Sequence, residues 1–376
     1  MRFPGFTGEW RKDRIRNLFT INVGGDIDKK EVSDIQSAKY PYPVIANALT
    51  NDGIYGYTSG YKDDAPNITV TGRGDVGCAK YRNYPLYPIV RLLVLHSNGN
   101  IDCRFGEHAI NRIKKYEEST GVPQLTAPQL GAYSICYPCL NEQSKIGDFL
   151  CLLEERIITQ IRIIEDLRNL KTYIHNRVFS KANKLYGLRN TIRLSDIATK
   201  ITRKNKGNTI NNVLSNSAAK GIVPQAEVFD KEIANEDNTA NYYVIENGDF
   251  VYNPRKSAQA PFGPINMYKG QAKGIISPLY LCFQVTDINK NYLLHYFMSN
   301  VWYSYIYSNG DTGVRHDRVS IKDETFLNMP LYIHTVDKQQ EIAKMMDQVD
   351  AKIALEELYL TTLQKQKDYL LAAMFV

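Results

Sequence analysis

The sequence predicts an α+β chain written twice. Two α/β globular domains are separated by two long antiparallel helices that form a coiled coil, giving a pseudo-two-fold internal repeat. Three observations predict this. Residues 143–157, QSKIGDFLCLLEERI, and residues 339–353, QQEIAKMMDQVDAKI, carry one apolar pattern at an interval of 196 residues. Their apolar positions step by three and four over about five heptads, the period of a two-helix seam. The segments ahead of the two helices share a mixed texture with short β-type runs, so the repeating unit is a globular domain followed by a helix.

Residues 1–140 form the first domain, rich in Tyr, Pro and Gly. A short amphipathic helix is expected at Arg14–Thr20 and a strand at Pro88–Leu95. The glycine-rich stretch 72–77, GRGDVG, has the letters of a phosphate loop but the wrong spacing, and reads as a turn between strands. Residues 141–186 are the central helix, with a seam of Leu150, Leu153, Ile157, Ile164, Leu167, Ile174 and Val178, interrupted by Gln160 and Lys171.

Residues 187–335 form the second domain. It opens on a second short amphipathic stretch, Arg193–Thr199, and offers strand candidates at 242–246, 249–253 and 275–285. Thr120-Gly-Val in the first domain and Thr312-Gly-Val in the second each fall shortly before a long helix. Residues 336–376 are the second helix, with Met346, Val349, Ile353, Leu360, Leu363, Leu370 and Met374 interrupted by Glu356 and Lys367. The 196-residue interval pairs Gln143 with Gln339, Lys171 with Lys367 and Phe179 with Phe375. Polar breaks at matching places favour packing of the helices on each other over each covering only its own domain. A helix of about 38 residues is roughly 57 Å long. Successive major-groove faces of a duplex recur about every 34–36 Å, so such a rod can act as a ruler between two readers.

At 376 residues the chain suits two ordinary domains, and 43% hydrophobic with 23% charged residues is a globular composition. The net charge of +6 is shared: residues 1–140 and residues 187–335 each carry a surplus of three positive charges, and the helical segments sum to zero. That placement suits two modules facing nucleic acid. The start, MRFPGFTGEW, lacks the apolar core of a signal peptide, and no apolar run reaches bilayer length, so a cytoplasmic location is expected. The six cysteines show no disulfide-like spacing; Cys136 and Cys139 form a lone CxxC without companion ligands, and His96, His108 and His175 have no ligand-like spacing. No metal is expected. There is no GxxxxGK[ST] motif and no HExxH, and Asn253-Pro-Arg-Lys lacks the second proline and aromatic residue of an adenine methyltransferase motif.

Several stretches resemble the specificity subunit of type I DNA restriction-modification systems, and the resemblance covers essentially the whole chain. Tyr137-Pro-Cys-Leu-Asn-Glu-Gln143 followed by Ile146 resembles the family's opening of the first long helix. The second copy, Val336-Asp-Lys-Gln-Gln-Glu-Ile342, departs from it with Lys338 in place of the usual glutamate. Phe3-Pro-Gly-Phe-Thr-Gly-Glu-Trp10, Thr71-Gly-Arg-Gly-Asp-Val-Gly77, Gly248-Asp-Phe-Val-Tyr-Asn-Pro254 and Gly274-Ile-Ile-Ser-Pro-Leu-Tyr280 resemble further family signatures in family order. The resemblance implies a DNA reader without catalysis of its own. Two target recognition domains would each read half of a split, asymmetric sequence in double-stranded DNA. The helices would space them and dock two methyltransferase subunits, with motor-nuclease subunits added for cleavage. S-adenosylmethionine, Mg²⁺ and ATP would bind those partners, and none would bind this chain.

In the first domain the candidate DNA-binding residues are Arg73 and Lys80 beside the glycine turn, and Thr120, Gly121 and Gln124 in the loop before the helix. In the second they are Arg255 and Lys256 after a strand, and Thr312, Gly313, Arg315, His316 and Arg318. Arginine forks onto guanine and glutamine onto adenine in the major groove. The competing reading is that such side chains are solvated or touch phosphates without reading sequence. Two rival functions stand beside the DNA reader: an assembly scaffold without sequence readout, and an enzyme whose site is assembled from distant residues.

Overall fold

The computed structural model describes residues 2–113, 124–180, 190–227, 236–311 and 317–375. They form two units, residues 1–161 with 358–376, and residues 162–357. Each unit takes one globular domain and part of both long helices, Leu140–Phe179 and Val336–Met374.

Unit 1 begins with strand Arg11–Arg14, which pairs antiparallel with Ser134–Tyr137 and so joins the two ends of the domain. A single helical turn, Ile15–Leu18, leads directly into strand Phe19–Val23. The expected helix at Arg14–Thr20 is therefore only that turn, since Phe19 is needed in a sheet. The sheet has four antiparallel strands in the order Phe19–Val23, Leu93–Ser97, Asn67–Val70, Ala79–Arg82. A second sheet of three strands runs Ile54–Thr58, Tyr42–Ile45, Tyr87–Pro88. The apolar run from Pro88 to Leu95 is thus divided between two sheets. Val90 and Arg91, with φ of 54° and 61°, make the corner between them. Helix Cys103–Asn111, capped by the Asp102 carboxylate on Arg104 N, covers the four-stranded sheet. Its Phe105 and Ile110 are fully buried with Phe19, Ile68, Leu95, Ile146 and Leu150.

Unit 2 repeats the plan. Strand Asn190–Arg193 pairs antiparallel with Pro330–Ile333. A four-stranded sheet runs Ala198–Lys200, Leu281–Val285, Phe250–Tyr252, Ile265–Met267. A second runs Gly221–Pro224, Val213–Ser217, Gly274–Ile276, Tyr243–Ile245. The candidate strand 275–285 is therefore two strands in two sheets, parted at Ser277-Pro278 because proline cannot continue a ladder. The amphipathic stretch at Arg193 is a short 3-10 turn, Leu194–Asp196. Helix Lys290–Met298, capped by Asn289, is the counterpart of Cys103–Asn111.

Within each unit the two long helices lie side by side and antiparallel. In unit 1 Lys367 Nζ meets Glu154 Oε1 at 2.5 Å, and the Arg156 guanidinium lies 5.4 Å from the Tyr359 ring. In unit 2 Arg168 meets Glu357 at 2.6 Å and Lys171 meets Asp350. The 196-residue interval maps Glu154 onto Asp350 and Lys171 onto Lys367, so one lysine–acid pair is built twice. The seam is buried at Leu150, Leu153, Ile164, Met346, Ile353 and Leu363. Ile157, Leu167, Val349 and Leu360 are half-buried.

A second repeated contact locks each domain to its helix. Gln143, fully buried, accepts from Asp102 N at 2.9 Å and donates to Pro138 O and Asn100 O. Gln339, 3% exposed, accepts from Asn289 N at 3.1 Å and donates to His334 O. Gly147 lets the central helix come this close, because a Cβ there would lie 2.9 Å from Arg104 Cβ. The aromatic pair is repeated as well. Phe375 stacks on Phe105 at 5.0 Å, and Phe179 packs edge-on against Tyr292 at 5.3 Å.

In unit 2 a buried histidine relay adds to this contact. His175 Nε2 lies 3.2 Å from His295 Nδ1, and His295 Nε2 lies 3.1 Å from Asp347. Burial, then the neighbouring His295 and Lys171, push His175 down to about 3. Burial also lowers His295, against the opposing pull of Asp347 and Asp350.

Two outcomes are expected. Gln143→Ala strands the groups the amide satisfies and lowers stability by about 2 kcal/mol, with Gln339→Ala close behind, read from denaturant midpoints. Because the folded pKa of His175 lies below its unfolded value, the unfolded state binds more protons from about pH 6.5 down to about 3. Stability present above that window is lost as pH falls through it. His175→Leu flattens the dependence of the urea midpoint on pH, and an unchanged slope contradicts the assignment.

Candidate nucleic-acid interface

In unit 1 strand Asn67–Val70 ends at Thr71, whose hydroxyl donates to Asp75 O and accepts from Cys78 N. Gly74 and Gly77 take φ of 70° and 85°, conformations open to glycine, and turn the chain back into Ala79–Arg82. The GRGDVG stretch is therefore the connection between two sheet strands. Asn47 anchors it by accepting from Gly72 N at 2.7 Å and donating to Val90 O at 2.6 Å. Leu125 N donates to Gly72 O, and Arg73 forms a β-bridge with Gln124. Arg73 is half-exposed and Gln124 exposed, so the structure brings two of the expected readers side by side.

Lys80 behaves differently. Its ammonium pairs with Asp52, which also pairs with the buried Arg82 guanidinium. Partial desolvation, then the adjacent Arg82, lowers its pKa. Two cations of one strand that share the Asp52 carboxylate give this lysine a structural use.

In unit 2 the matching loop follows strand Phe250–Tyr252, which holds the same third place in its sheet as Asn67–Val70. Asn253 is buried; its amide donates to Asn216 O, and its carbonyl accepts from Arg255 N at 3.0 Å. This internal use accounts for an asparagine before proline. Arg255 forms a β-bridge with Arg318, Lys256 N donates to Asp317 O, and Val319 N donates to Pro254 O. Arg255 is exposed and Arg318 half-exposed, with its Nε 3.5 Å from Asp317. Two guanidinium-bearing residues on facing backbone segments make a local excess of positive charge suited to an anion.

The two units thus place one bridged pair each, Arg73 with Gln124 and Arg255 with Arg318, on the same connection of the same kind of sheet. Thr120, Gly121, Thr312, Gly313, Arg315 and His316 lie outside the described residues. Sequence reasoning missed Asn47 and Asn216, which shape the loops from within. It also missed the grouping of Glu107, His108 and Glu154, whose ligand atoms all lie within 4.8 Å of one another. An asparagine two strands away carries no linear signal of its bond.

Among the described residues the buried thiols are poor nucleophiles. Burial pushes Cys103 up to about 11 and Cys282 up to about 12. Cys136 lies on strand Ser134–Tyr137, and both it and Cys139 are exposed and free. No helix among the described residues is long and apolar enough to cross a membrane.

Comparison with known proteins gives this geometry a setting. Two putative type I specificity subunits of Mycoplasma pneumoniae are 31% and 30% identical over 130 residues each. Those alignments cover 34% and 35% of this chain, and span 35% and 38% of the relatives' length. The crystal structure of a type I restriction-modification system S subunit from M. genitalium matches the fold with a TM-score of 0.62 at 15% identity, covering 100% of this chain and 99% of that one. A chain from a structural study of type I R-M complex assembly and conformational transition matches with a TM-score of 0.56 at 15% identity, covering 98% of each. The family model for the type I restriction modification DNA specificity domain matches residues 7–168 and again 189–365, one match for each domain with its helix. The chain belongs to that family, with the specificity domain present twice.

Proposed function

We propose that this chain is the DNA-specificity subunit of a type I restriction-modification complex. Each globular domain reads one half of a bipartite, asymmetric target in double-stranded DNA, and the helices set the spacing and dock two methyltransferase subunits. The observation that carries the reading is the repeated loop: Arg73 beside Gln124 in one unit, Arg255 beside Arg318 in the other, on matching sheet connections. Arginine and glutamine are side chains that read base edges by paired hydrogen bonds, and a charge surplus in both domains supplies the sequence-independent attraction.

The unpaired apolar side chains of the helices suit the docking role. Leu152, Ile158, Leu170 and Tyr173 on the central helix, and Leu355, Leu358 and Tyr369 on the second, are each at least half-exposed or close to it, from 49% to 65%. We place the proposed complex in the cytoplasm. In this reading the chain contributes no chemistry of its own. S-adenosylmethionine, Mg²⁺ and ATP belong to the methyltransferase and motor-nuclease partners.

A methylation map of DNA modified by the complex identifies the split target. Arg73→Ala and Arg255→Ala are then assayed in the complex with its methyltransferase partner on targets changed in one half at a time. Each variant is expected to lose about 1–3 kcal/mol of discrimination in one half only, and not in the same half. Equal weakening on every sequence assigns both arginines to phosphates. Retention that is independent of sequence at every salt concentration contradicts DNA readout and favours a scaffold.

A further inference from the structure

Glu107 and His108 lie on helix Cys103–Asn111, and Glu154 lies on the central helix, all within unit 1. One ligand atom from each lies within 4.8 Å of the other two. His108 is only 4% exposed, and its Nε2 is buried without a hydrogen-bond partner. A buried ring nitrogen left in this way carries a desolvation cost with nothing to offset it.

The duplication provides an internal control. His295 stands six residues after its cap Asn289, as His108 does after Asp102. His295 is fully served: His175 meets one nitrogen at 3.2 Å and Asp347 the other at 3.1 Å. At the 196-residue interval those two partners become Leu371 and Cys151 in unit 1. Counted from the caps, Glu107 stands where unit 2 has Leu294, and at the 196-residue interval Glu154 keeps the carboxylate of Asp350. Unit 1 has given up the histidine's two protein partners, kept the seam carboxylate as Glu154, and set one new carboxylate, Glu107, beside it.

We propose that Glu107, His108 and Glu154 bind one divalent transition-metal ion of the zinc class, fastening helix Cys103–Asn111 to the central helix. One imidazole nitrogen with carboxylate oxygens suits zinc, whereas magnesium and calcium favour oxygen alone. Ligand atoms of a tetrahedral ion of this class, each about 2.1 Å from it, stand about 3.4 Å apart, so atoms that lie within 4.8 Å of one another close onto the ion by side-chain rotation. The ion draws together two carboxylates that otherwise repel each other. Glu154 and Lys367 each have 28% exposed side chains, which leaves a route from solvent. Lys367, 2.5 Å from Glu154 Oε1, shares that carboxylate with the ion and weakens the ion's hold on it.

The test uses the full chain carrying Cys136→Ser and Cys139→Ser, because that exposed thiol pair is a rival zinc binder. The protein is stripped with chelator and titrated with zinc chloride by calorimetry and with cobalt chloride by visible absorption. One ion per chain is expected. Binding weakens by about tenfold or more in His108→Leu and in Glu154→Gln. It tightens by about fivefold in Lys367→Met, the scale of one partly exposed ion pair. If His108→Leu does not fold, Glu154→Gln and Glu107→Gln decide. No saturable binding overturns the proposal, and so does binding that these substitutions leave unchanged.

Discussion

Everything in this chain depends on a lysine placed in an apolar helical seam. Lys171 and Lys367 interrupt the stripes that bury Ile164 and Leu363, and each needs a carboxylate from the facing helix. Antiparallel packing supplies it in both units, with Asp350 in one and Glu154 in the other. A stripe of leucines alone tolerates shifts by a heptad, whereas a half-buried ammonium does not, because a slipped register strands the charge. The contacts that seat each domain are built on a pair of helices held in this way.

The seating uses different chemistry at each level. Gln143 and Gln339 satisfy the backbone just ahead of a capped helix, fixing where that helix begins. Phe375 and Phe179 fill the space beneath Phe105 and Tyr292. These features recur because the whole unit recurs. The departures between the copies are correspondingly informative: the histidine relay of unit 2 and the histidine–carboxylate group of unit 1 occupy the same structural place.

The long helices were legible from sequence because one period extends over some 40 residues and is repeated. Lys171 and Lys367 were visible as matched breaks, although their partners Asp350 and Glu154 were not. Short strands were harder to read. The run from Pro88 to Leu95 looks continuous because every residue but Arg91 is apolar, yet its burial comes from two different sheets. Residues 275–285 mislead for the same reason. The reading loops lay between these cases: Arg73, Gln124, Arg255 and Arg318 could be picked out by residue type and place, whereas their pairing across the chain required the fold. Lys80 has the right type and neighbourhood, but Asp52, distant in sequence, engages it.

The most direct test of the seam is a charge-exchange cycle on the full chain at the Lys171–Asp350 pair. Thermal midpoints are compared for Lys171→Glu, Asp350→Lys and the two together. Antiparallel pairing in this register predicts that each single reversal lowers the midpoint and that the double variant recovers most of the loss, a coupling of about 1 kcal/mol or more. A double variant whose loss equals the sum of the single losses would contradict it, because the two side chains would then not face each other.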